Sequence, residues 1–189
     1  MEVNASTDGK KIYMTRGIVH FTQNDNELAG VMGHELGHAI MRHSRKKGIN
    51  RFIGLAAGTT LDQLGALLFA DDDFDTFTDI GFMAGHLTHS PQFELEADYV
   101  GYYITARAGY DYNEAANWYR RIAVYQSPLS IEYETTHPAN AERFVIGKKV
   151  LAEIDAKKAA GEVLKPDVDP AEWSRRNLEY AHGQDTYNR

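Results

Sequence analysis

One segment of this sequence, residues 26–40, constrains the whole chain because it carries His-Glu-x-x-His within residues that we predict to form one helix. On a helix, residues four apart lie about 40° apart around the axis and roughly 6 Å apart along it. His34 and His38 therefore project from one face, and two neutral imidazoles at that separation suit two corners of a tetrahedral zinc site. Glu35 lies about 100° from His34, where its carboxylate can take a proton from a water molecule at the metal.

The flanking residues support a helix around the motif. Asn24, with Glu27 three residues later, has the spacing of a capping box, and basic residues follow the motif where the helix dipole favours them. We predict a helix at residues 25–43, with Gly48 as the terminating glycine. The helix is also supported by apolar residues that recur at helical spacing and form a stripe: Leu28, Val31, Met32, Ile40 and Met41. The alternative to a metal site is a buried helix with two incidental histidines.

A catalytic zinc site needs a third protein ligand and keeps a fourth position for water. The metzincin pattern would place a glycine and a histidine where this chain has Met41 and Ser44, so that class is rejected. The other solution is a glutamate from a later helix. Glu94 and Asp98 are four residues apart and share a helix face, so Glu94 can ligate the metal while Asp98 accepts a proton from the non-ligating nitrogen of a zinc histidine. On the residues alone, other candidates for the third ligand remain: His86, His89 and Glu96.

Composition narrows the class of protein. A chain of 189 residues with 43% hydrophobic and 25% charged residues is typical of one soluble globular domain with a substantial core. The net charge of −7 argues against a nucleic-acid surface, so we expect no nucleic-acid partner. The absence of cysteine excludes Cys-based zinc sites, disulfides and thiol catalysis.

The N-terminus has neither a basic region nor an apolar run, so no signal peptide is predicted. Because strand-like sequence begins almost at once, we expect that Met1 is an added initiator and that upstream residues were removed. The longest weakly charged stretch, residues 52–70, contains Asp62 and Gln63, which favours a core helix over a membrane span.

The remaining pattern predicts one mainly α-helical domain (α+β) with a small sheet near its N-terminus. Residues 4–9 are turn-like, residues 11–15 form a strand, and an apolar continuation at 18–21 follows a turn at 16–17. An acidic run at 71–75 lacks the EF-hand spacing and is predicted to be a solvated loop or helix start. Ser90 and Pro91 have the types expected of an N-cap and a first helical residue. Further helices are predicted at 52–69, 92–107, 113–125, 140–160 and 170–181.

Several short motifs follow one another along the chain: Asn4-Ala5, Tyr13-Met14-Thr15-Arg16-Gly17, Asn26-Glu27-Leu28-Ala29, His34-Glu35-Leu36-Gly37-His38, Glu94-x-Glu96-Ala97-Asp98, and Thr136-His137-Pro138 with Arg143. As an ordered set they resemble metallopeptidase family forty-eight, the group of HtpX, BepA, Oma-type and CaaX-prenyl-protease-type enzymes. The resemblance covers residues 4–157. It departs from the family at residues 4–9, where members often carry Asn-Ala-Phe-Ala and a Pro-Gly-Gly-like turn. Neither HtpX-like transmembrane helices nor a following helical-repeat domain is visible in the sequence.

The resemblance implies a zincin-like (gluzincin) fold, in which a small N-terminal β-hairpin or sheet packs on the active-site helix. It implies one zinc ion per chain, held by His34, His38 and Glu94, with catalysis by Glu35. We expect a zinc metallopeptidase domain at residues 1–164, and a C-terminal extension at 165–189 whose short helix packs on the same domain.

The resemblance also assigns importance to the His-Pro loop. His137 has a functional interpretation, either as a fourth zinc ligand at rest or as a hydrogen-bond donor to the tetrahedral oxyanion, and a plain one as a helix cap before Pro138. Arg143 either positions His137 or the scissile carbonyl, or is an ordinary surface cation. Glu35, His137 and Arg143 are therefore the catalytic candidates.

The function predicted is a zinc-dependent endopeptidase that hydrolyses unfolded or membrane-associated envelope proteins in protein quality control, with Glu35 as general base. The alternative is a latent protease that acts mainly as a polypeptide-binding module, with His137 in the open zinc position. A structural zinc site would need four ligands and would leave Glu35 without a role. We expect polypeptide substrates and a monomer. Peripheral membrane or envelope association, and a location in the cell envelope or periplasm, follow from the resemblance.

Overall fold

The structure, a computed structural model, describes residues 1–69, 77–80, 91–125 and 141–185. Its internal contacts divide the chain into one unit of Met1–Met41 with Pro91–Arg189 and a second unit of Arg42–Ser90. The predicted mainly helical chain with a small N-terminal sheet is confirmed. The helices and strands of each unit are stabilised by their own caps, turns and side-chain contacts.

The first unit begins with an antiparallel hairpin of β1 (Ala5–Thr7) and β2 (Ile12–Met14), in which Ala5 pairs with Met14. The Asp8 carboxylate accepts the backbone N–H groups of residues 10 and 11, which fixes the turn. The predicted strand at 11–15 is confirmed, whereas the turn predicted at 4–9 is wrong because it contains β1. The apolar continuation predicted at 18–21 is also wrong. These residues belong to helix α1 (Arg16–Phe21). The helix begins at Arg16 because the Thr15 hydroxyl accepts the Ile18 N–H and caps the helix.

Helix α2 (Asp25–Ile40) carries the histidine motif and contacts the hairpin. Asn24 accepts the Glu27 N–H at 3.0 Å, while the Glu27 carboxylate returns to the N–H of Gln23, one residue before the expected partner. The helix ends before the predicted residue 43, since Arg42 adopts a left-handed φ of 56°.

Helices α4 (Pro91–Arg107), α5 (Tyr112–Ala115), α6 (Asn117–Tyr125), α7 (Ala141–Ala160) and α8 (Pro170–Asp185) complete the first unit. These helices match the predicted ones, except that the helix predicted at 113–125 is split in two and the last helix continues to Asp185, beyond the predicted residue 181. Helix α4 lies along α2 and also contacts α7 and α8. Trp173 of α8 stacks on Tyr99 of α4 with ring centroids 4.4 Å apart, so the C-terminal helix joins the same core. Large members of that core are Ile18, Val31, Leu95, Tyr99, Tyr119, Val150, Ile154 and Trp173.

The second unit contains α3 (His43–Phe69), which starts nine residues before the predicted position 52 and passes through Gly48. The Asp62 carboxylate accepts the backbone N–H groups of Phe77 at 2.7 Å and Thr78 at 2.6 Å, which anchors the helical turn at 77–80. The prediction of a core helix at 52–69 is wrong where side chains are described, because Phe52 is 72% exposed. Among the described helices, none combines the length and apolar character needed to cross a membrane. The acidic run at 71–75 lies outside the described residues.

Candidate metal centre

Helices α2 and α4 approach each other closely because glycines face their contact. A Cβ atom added to Gly37 would lie 2.5 Å from the carbonyl oxygen of Ala97, and one added to Gly33 would lie 2.7 Å from that of Gly101. No side chain fits at either position without displacing backbone. Side chains beside this contact are consequently held within a few ångströms of one another.

Three buried side chains converge beside the contact. The Nε2 atoms of His34 and His38 are 3.0 Å apart, and each lies 3.4 Å from an oxygen of the Glu94 carboxylate. Ligands about 2.0–2.1 Å from a tetrahedral ion are separated by roughly 3.3 Å. The spacing of the two nitrogens from each other and from the carboxylate is close to that value, with each nitrogen facing a different carboxylate oxygen. Two imidazoles and one carboxylate are also the donor set that zinc accepts in catalytic sites. The three residues therefore fit a divalent metal, and their ligand atoms all lie within 4.8 Å of one another.

Among the described residues, Glu96 does not join this group. Glu96 is buried on α4, where its carboxylate accepts a hydrogen bond from Gln92 at 2.9 Å. The cluster found among the described residues contains Glu94 and not Glu96. His86 and His89 lie outside the described residues.

Asp98 lies one helical turn beyond Glu94 and accepts a hydrogen bond from Nδ1 of His34 at 2.7 Å. This contact places the proton on Nδ1 and leaves the lone pair of Nε2 directed at the metal position. Burial disfavours the charged form of His34, but hydrogen bonds to Asp98 and Glu94 outweigh it and raise the pKa of His34 to about 9. Burial alone would raise the pKa of Asp98. The charge of Arg143 and the bond from His34 instead hold it well below its ordinary value.

Arg143, on α7, is 6% exposed, so its interpretation as a surface cation is wrong. Its Nε donates to one oxygen of Asp98 at 2.9 Å and its Nη2 donates to the other at 2.8 Å. Its Nη1 lies 3.2 Å from the Glu94 carboxylate. One guanidinium therefore holds two acidic residues of α4, Glu94 as the proposed ligand and Asp98 as the acceptor for His34.

Tyr119, on α6, is a member of the site that the sequence did not indicate. Its hydroxyl donates to Asp98 Oδ1 at 2.5 Å and lies 3.3 Å from Nδ1 of His34. Burial, and then the charge of Asp98, raise the pKa of Tyr119 well above its ordinary value, so the phenol remains a donor. The chain has 11 tyrosines, and no motif or spacing singles this one out.

Two catalytic candidates are placed less fully. Glu35 is 1% exposed and lies on α2 beside His34, in keeping with its position in the motif. His137 lies outside the described residues, and its two interpretations remain predictions.

A histidine pair on one helix, a glutamate on a second helix packed against it and a glutamate inside the histidine motif define the class of His-Glu-x-x-His metallopeptidases. The sequence profile of Peptidase family M48 matches residues 2–146, and the chain belongs to that family.

Relatives in the family are much longer than this chain. The mitochondrial metalloendopeptidase OMA1 of Arabidopsis thaliana is 31% identical over 150 residues, which cover 79% of this chain and 29% of the relative. OMA1 of Saccharomyces cerevisiae is 27% identical over 71% of this chain and 39% of its own length. The beta-barrel assembly-enhancing protease of Escherichia coli is 28% identical over 58% of this chain and 24% of its own length. The chain thus spans about a quarter to two-fifths of the length of these relatives.

Proposed function

We propose that this chain is a zinc-dependent endopeptidase domain of the gluzincin type, in which His34, His38 and Glu94 hold one zinc ion and Glu35 is the general base. The observation that carries the proposal is that two imidazole nitrogens of one helix, 3.0 Å apart, each lie 3.4 Å from an oxygen of the Glu94 carboxylate on a second helix. Residues that meet at tetrahedral spacing, in a buried position and with a hydrogen-bonded acceptor behind one imidazole, are arranged as a metal site rather than as an ordinary core.

The protein's own groups have distinct tasks in the proposed reaction. A bound zinc ion would supply Lewis-acid polarisation of the peptide carbonyl and a water of lowered pKa. Glu35 takes a proton from the attacking water and delivers it to the leaving amine. Asp98 keeps the ring of His34 in one orientation. The buried position of these residues, each at most 3% exposed, strengthens their electrostatic interactions.

The proposed substrates are extended segments of unfolded polypeptides. The described sheet has only two strands, so each strand has one edge that another strand can join. We propose that β2 or its neighbour accepts an extended substrate by β-addition. This assignment and the role in envelope quality control draw on the family; the names of relatives include a mitochondrial metalloendopeptidase and a beta-barrel assembly-enhancing protease. A periplasmic or envelope location, and a monomeric state, are proposals of the same kind.

Metal binding and catalysis are tested separately. Zinc content after purification and dialysis should be near one ion per chain in the unaltered protein and should fall strongly in Glu94→Gln. Glu96→Gln is the matched control, because Glu96 is equally buried on the same helix but lies outside the ligand cluster. Casein cleavage should be abolished in Glu35→Gln with zinc content retained. Equal cleavage by Glu35→Gln and the unaltered protein would refute the assignment of the base.

Peripheral membrane association has a specific support in α3. Residues 42–61 contain five Lys and Arg and no Asp or Glu, in a chain whose net charge is −7. One face of α3 exposes Ile49, Phe52, Ile53 and Leu64, which recur at helical spacing. Arg45 lies four residues before Ile49 and therefore borders the same face. A helix with an exposed apolar face and cations at one end suits the surface of an anionic bilayer.

The membrane proposal is tested by co-sedimentation with vesicles of zwitterionic lipid, with and without anionic lipid. We expect binding only to the anionic vesicles, with a loss at high salt. Phe52→Ser should weaken binding about tenfold or more. Val163→Ser is the matched control, because Val163 is 73% exposed and Phe52 is 72% exposed. Equal binding by both variants, or binding to neither vesicle, would refute the role of α3.

The domain limits also remain a proposal, with residues 1–164 as the peptidase domain and 165–189 as an extension packed on it. The stacking of Trp173 on Tyr99 supports it, as does the hydrogen bond from the Asp167 N–H to the Tyr99 hydroxyl at 3.0 Å.

A further inference from the structure

We propose that Tyr119 is a positioning residue for the metal, because its hydroxyl fixes the carboxylate of Asp98 and thereby the ring of His34. The inference rests on the proposed function, since it concerns a side chain that acts on the proposed ligand set. It assigns to α6 a part in metal binding that neither the motif on α2 nor the acidic pair on α4 indicates.

Asp98 Oδ1 accepts three hydrogen bonds. His34 Nδ1 donates at 2.7 Å, Arg143 Nη2 at 2.8 Å and the Tyr119 hydroxyl at 2.5 Å. These donors come from α2, α7 and α6, so three elements converge on one carboxylate oxygen. Because three donors hold this carboxylate, it has one orientation. Its hydrogen bond to His34 then fixes the orientation of the imidazole ring.

Solvent cannot easily replace the phenol. Tyr119 is 3% exposed, Asp98 is 2% exposed and His34 is 2% exposed. Loss of a hydrogen bond in this buried position leaves the charged Asp98 oxygen without one of its donors. At the surface, a water molecule would replace the lost donor. Without the Tyr119 hydroxyl, Asp98 Oδ1 is held, among the described residues, only by Arg143 and His34, and the carboxylate can shift toward the guanidinium and away from the ring of His34.

The ring and the hydroxyl of Tyr119 have separable roles. The guanidinium carbon of Arg143 lies 5.3 Å from the centre of the Tyr119 ring, a cation–π contact that a phenylalanine would keep. Replacement of Tyr119 by phenylalanine therefore removes the hydroxyl, with its bond to Asp98 and its 3.3 Å contact with His34 Nδ1, and keeps the ring. Tyr119→Phe therefore tests the role of the hydroxyl and not the packing of the aromatic ring.

The experiment compares Tyr119→Phe with Tyr112→Phe. The Tyr112 hydroxyl donates to the exposed Asp155 at 2.5 Å, and Tyr112 is 5% exposed, so the control loses a phenol–carboxylate bond of the same length away from the metal residues. Zinc affinity is measured by competition with a chromogenic chelator, and the Co²⁺-substituted protein gives a visible absorption spectrum. We expect zinc affinity to fall about tenfold or more in Tyr119→Phe, with an altered cobalt spectrum, and to be unchanged in Tyr112→Phe.

A double-mutant cycle with Asp98→Ala tests whether Tyr119 acts through Asp98. The double variant should bind zinc as weakly as Asp98→Ala alone, because the hydroxyl then has no carboxylate to hold. An additive loss would overturn the proposed route. Thermal melting of the metal-free proteins confirms that each variant is folded.

The failures of the inference and of the proposed function are distinguishable. Zinc binding by the unaltered protein with the same affinity in Tyr119→Phe would overturn the role of Tyr119 alone. Absence of zinc binding by the unaltered protein would overturn both.

Discussion

The contact between α2 and α4 predicts that Gly37→Ala weakens metal binding without touching any ligand. The added methyl group would lie 2.5 Å from the Ala97 carbonyl oxygen and 2.9 Å from the Ala97 Cα, and both are backbone atoms that cannot rotate away. Ordinary contact begins near 3.4 Å, so the two helices must separate by roughly 0.9 Å.

That separation is large compared with the tolerance of a metal site. Glu94 lies on α4 and the two histidines lie on α2, at 3.4 Å from its carboxylate oxygens. A shift of the same order would carry the glutamate out of range of a shared ion, since ligand distances must hold to about 0.2 Å. Overpacking costs about 1–3 kcal/mol, partly offset by about 1 kcal/mol from the better helix propensity of alanine. We therefore expect a modest loss of stability and a larger loss of zinc affinity.

Urea unfolding of the metal-free protein and zinc competition measure the two effects separately. Gly48→Ala is the control, because a Cβ atom at Gly48 on α3 meets nothing within 4 Å. That variant should keep its zinc affinity and unfold at the same or a higher urea concentration. Zinc affinity in Gly37→Ala equal to that of the unaltered protein would refute the claim that the close backbone approach sets the ligand geometry.

Further predictions concern protonation, packing and the His-Pro loop. Because its pKa is about 9, metal-free His34 is protonated at neutral pH, so zinc binding should release a proton near pH 7.5 and much less above pH 10, measured in weakly buffered dye solution. The same raised pKa stabilises the metal-free fold below pH 6.5, and this contribution should disappear as the pH rises through 9, measured by urea unfolding. Trp173→Ala should cost about 3–5 kcal/mol in urea unfolding, since it removes the stack on Tyr99; a change below 1 kcal/mol would contradict that packing. In His137→Ala, zinc content should be unchanged; a gain in casein cleavage would support latency, a loss would support an oxyanion donor, and no change would exclude both.

Much of the site was predictable because its parts are local. The spacing of His34 and His38, and that of Glu94 and Asp98, follows from the helical repeat alone. The start of α2 followed from Asn24, whose side chain accepts the N–H expected of an N-cap. In each case the signal and its consequence lie within one or two turns of the same helix.

The predictions failed where distant contacts compete with local preference. Residues 18–21 have strand-like types, yet the Thr15 cap and the burial of Ile18 produce α1. The apolar stripe on α2 correctly indicated a helix but not its buried face, since Ile40 is 60% exposed while Glu27 is 2% exposed. Glu27 is buried because Arg121, far along the chain, pairs with both of its carboxylate oxygens.

The sequence by itself determined which side chains share a helix face, because a regular helix converts spacing into direction without reference to the rest of the chain. It therefore identified the histidine pair and the acidic pair as separate halves of the proposed site. Only the tertiary structure decided that the halves meet, that Arg143 and Tyr119 surround Asp98, and that glycines allow the two helices to touch. Such contacts join residues from 21 to 64 positions apart around Asp98, and their formation depends on the packing of whole helices, which no local pattern encodes.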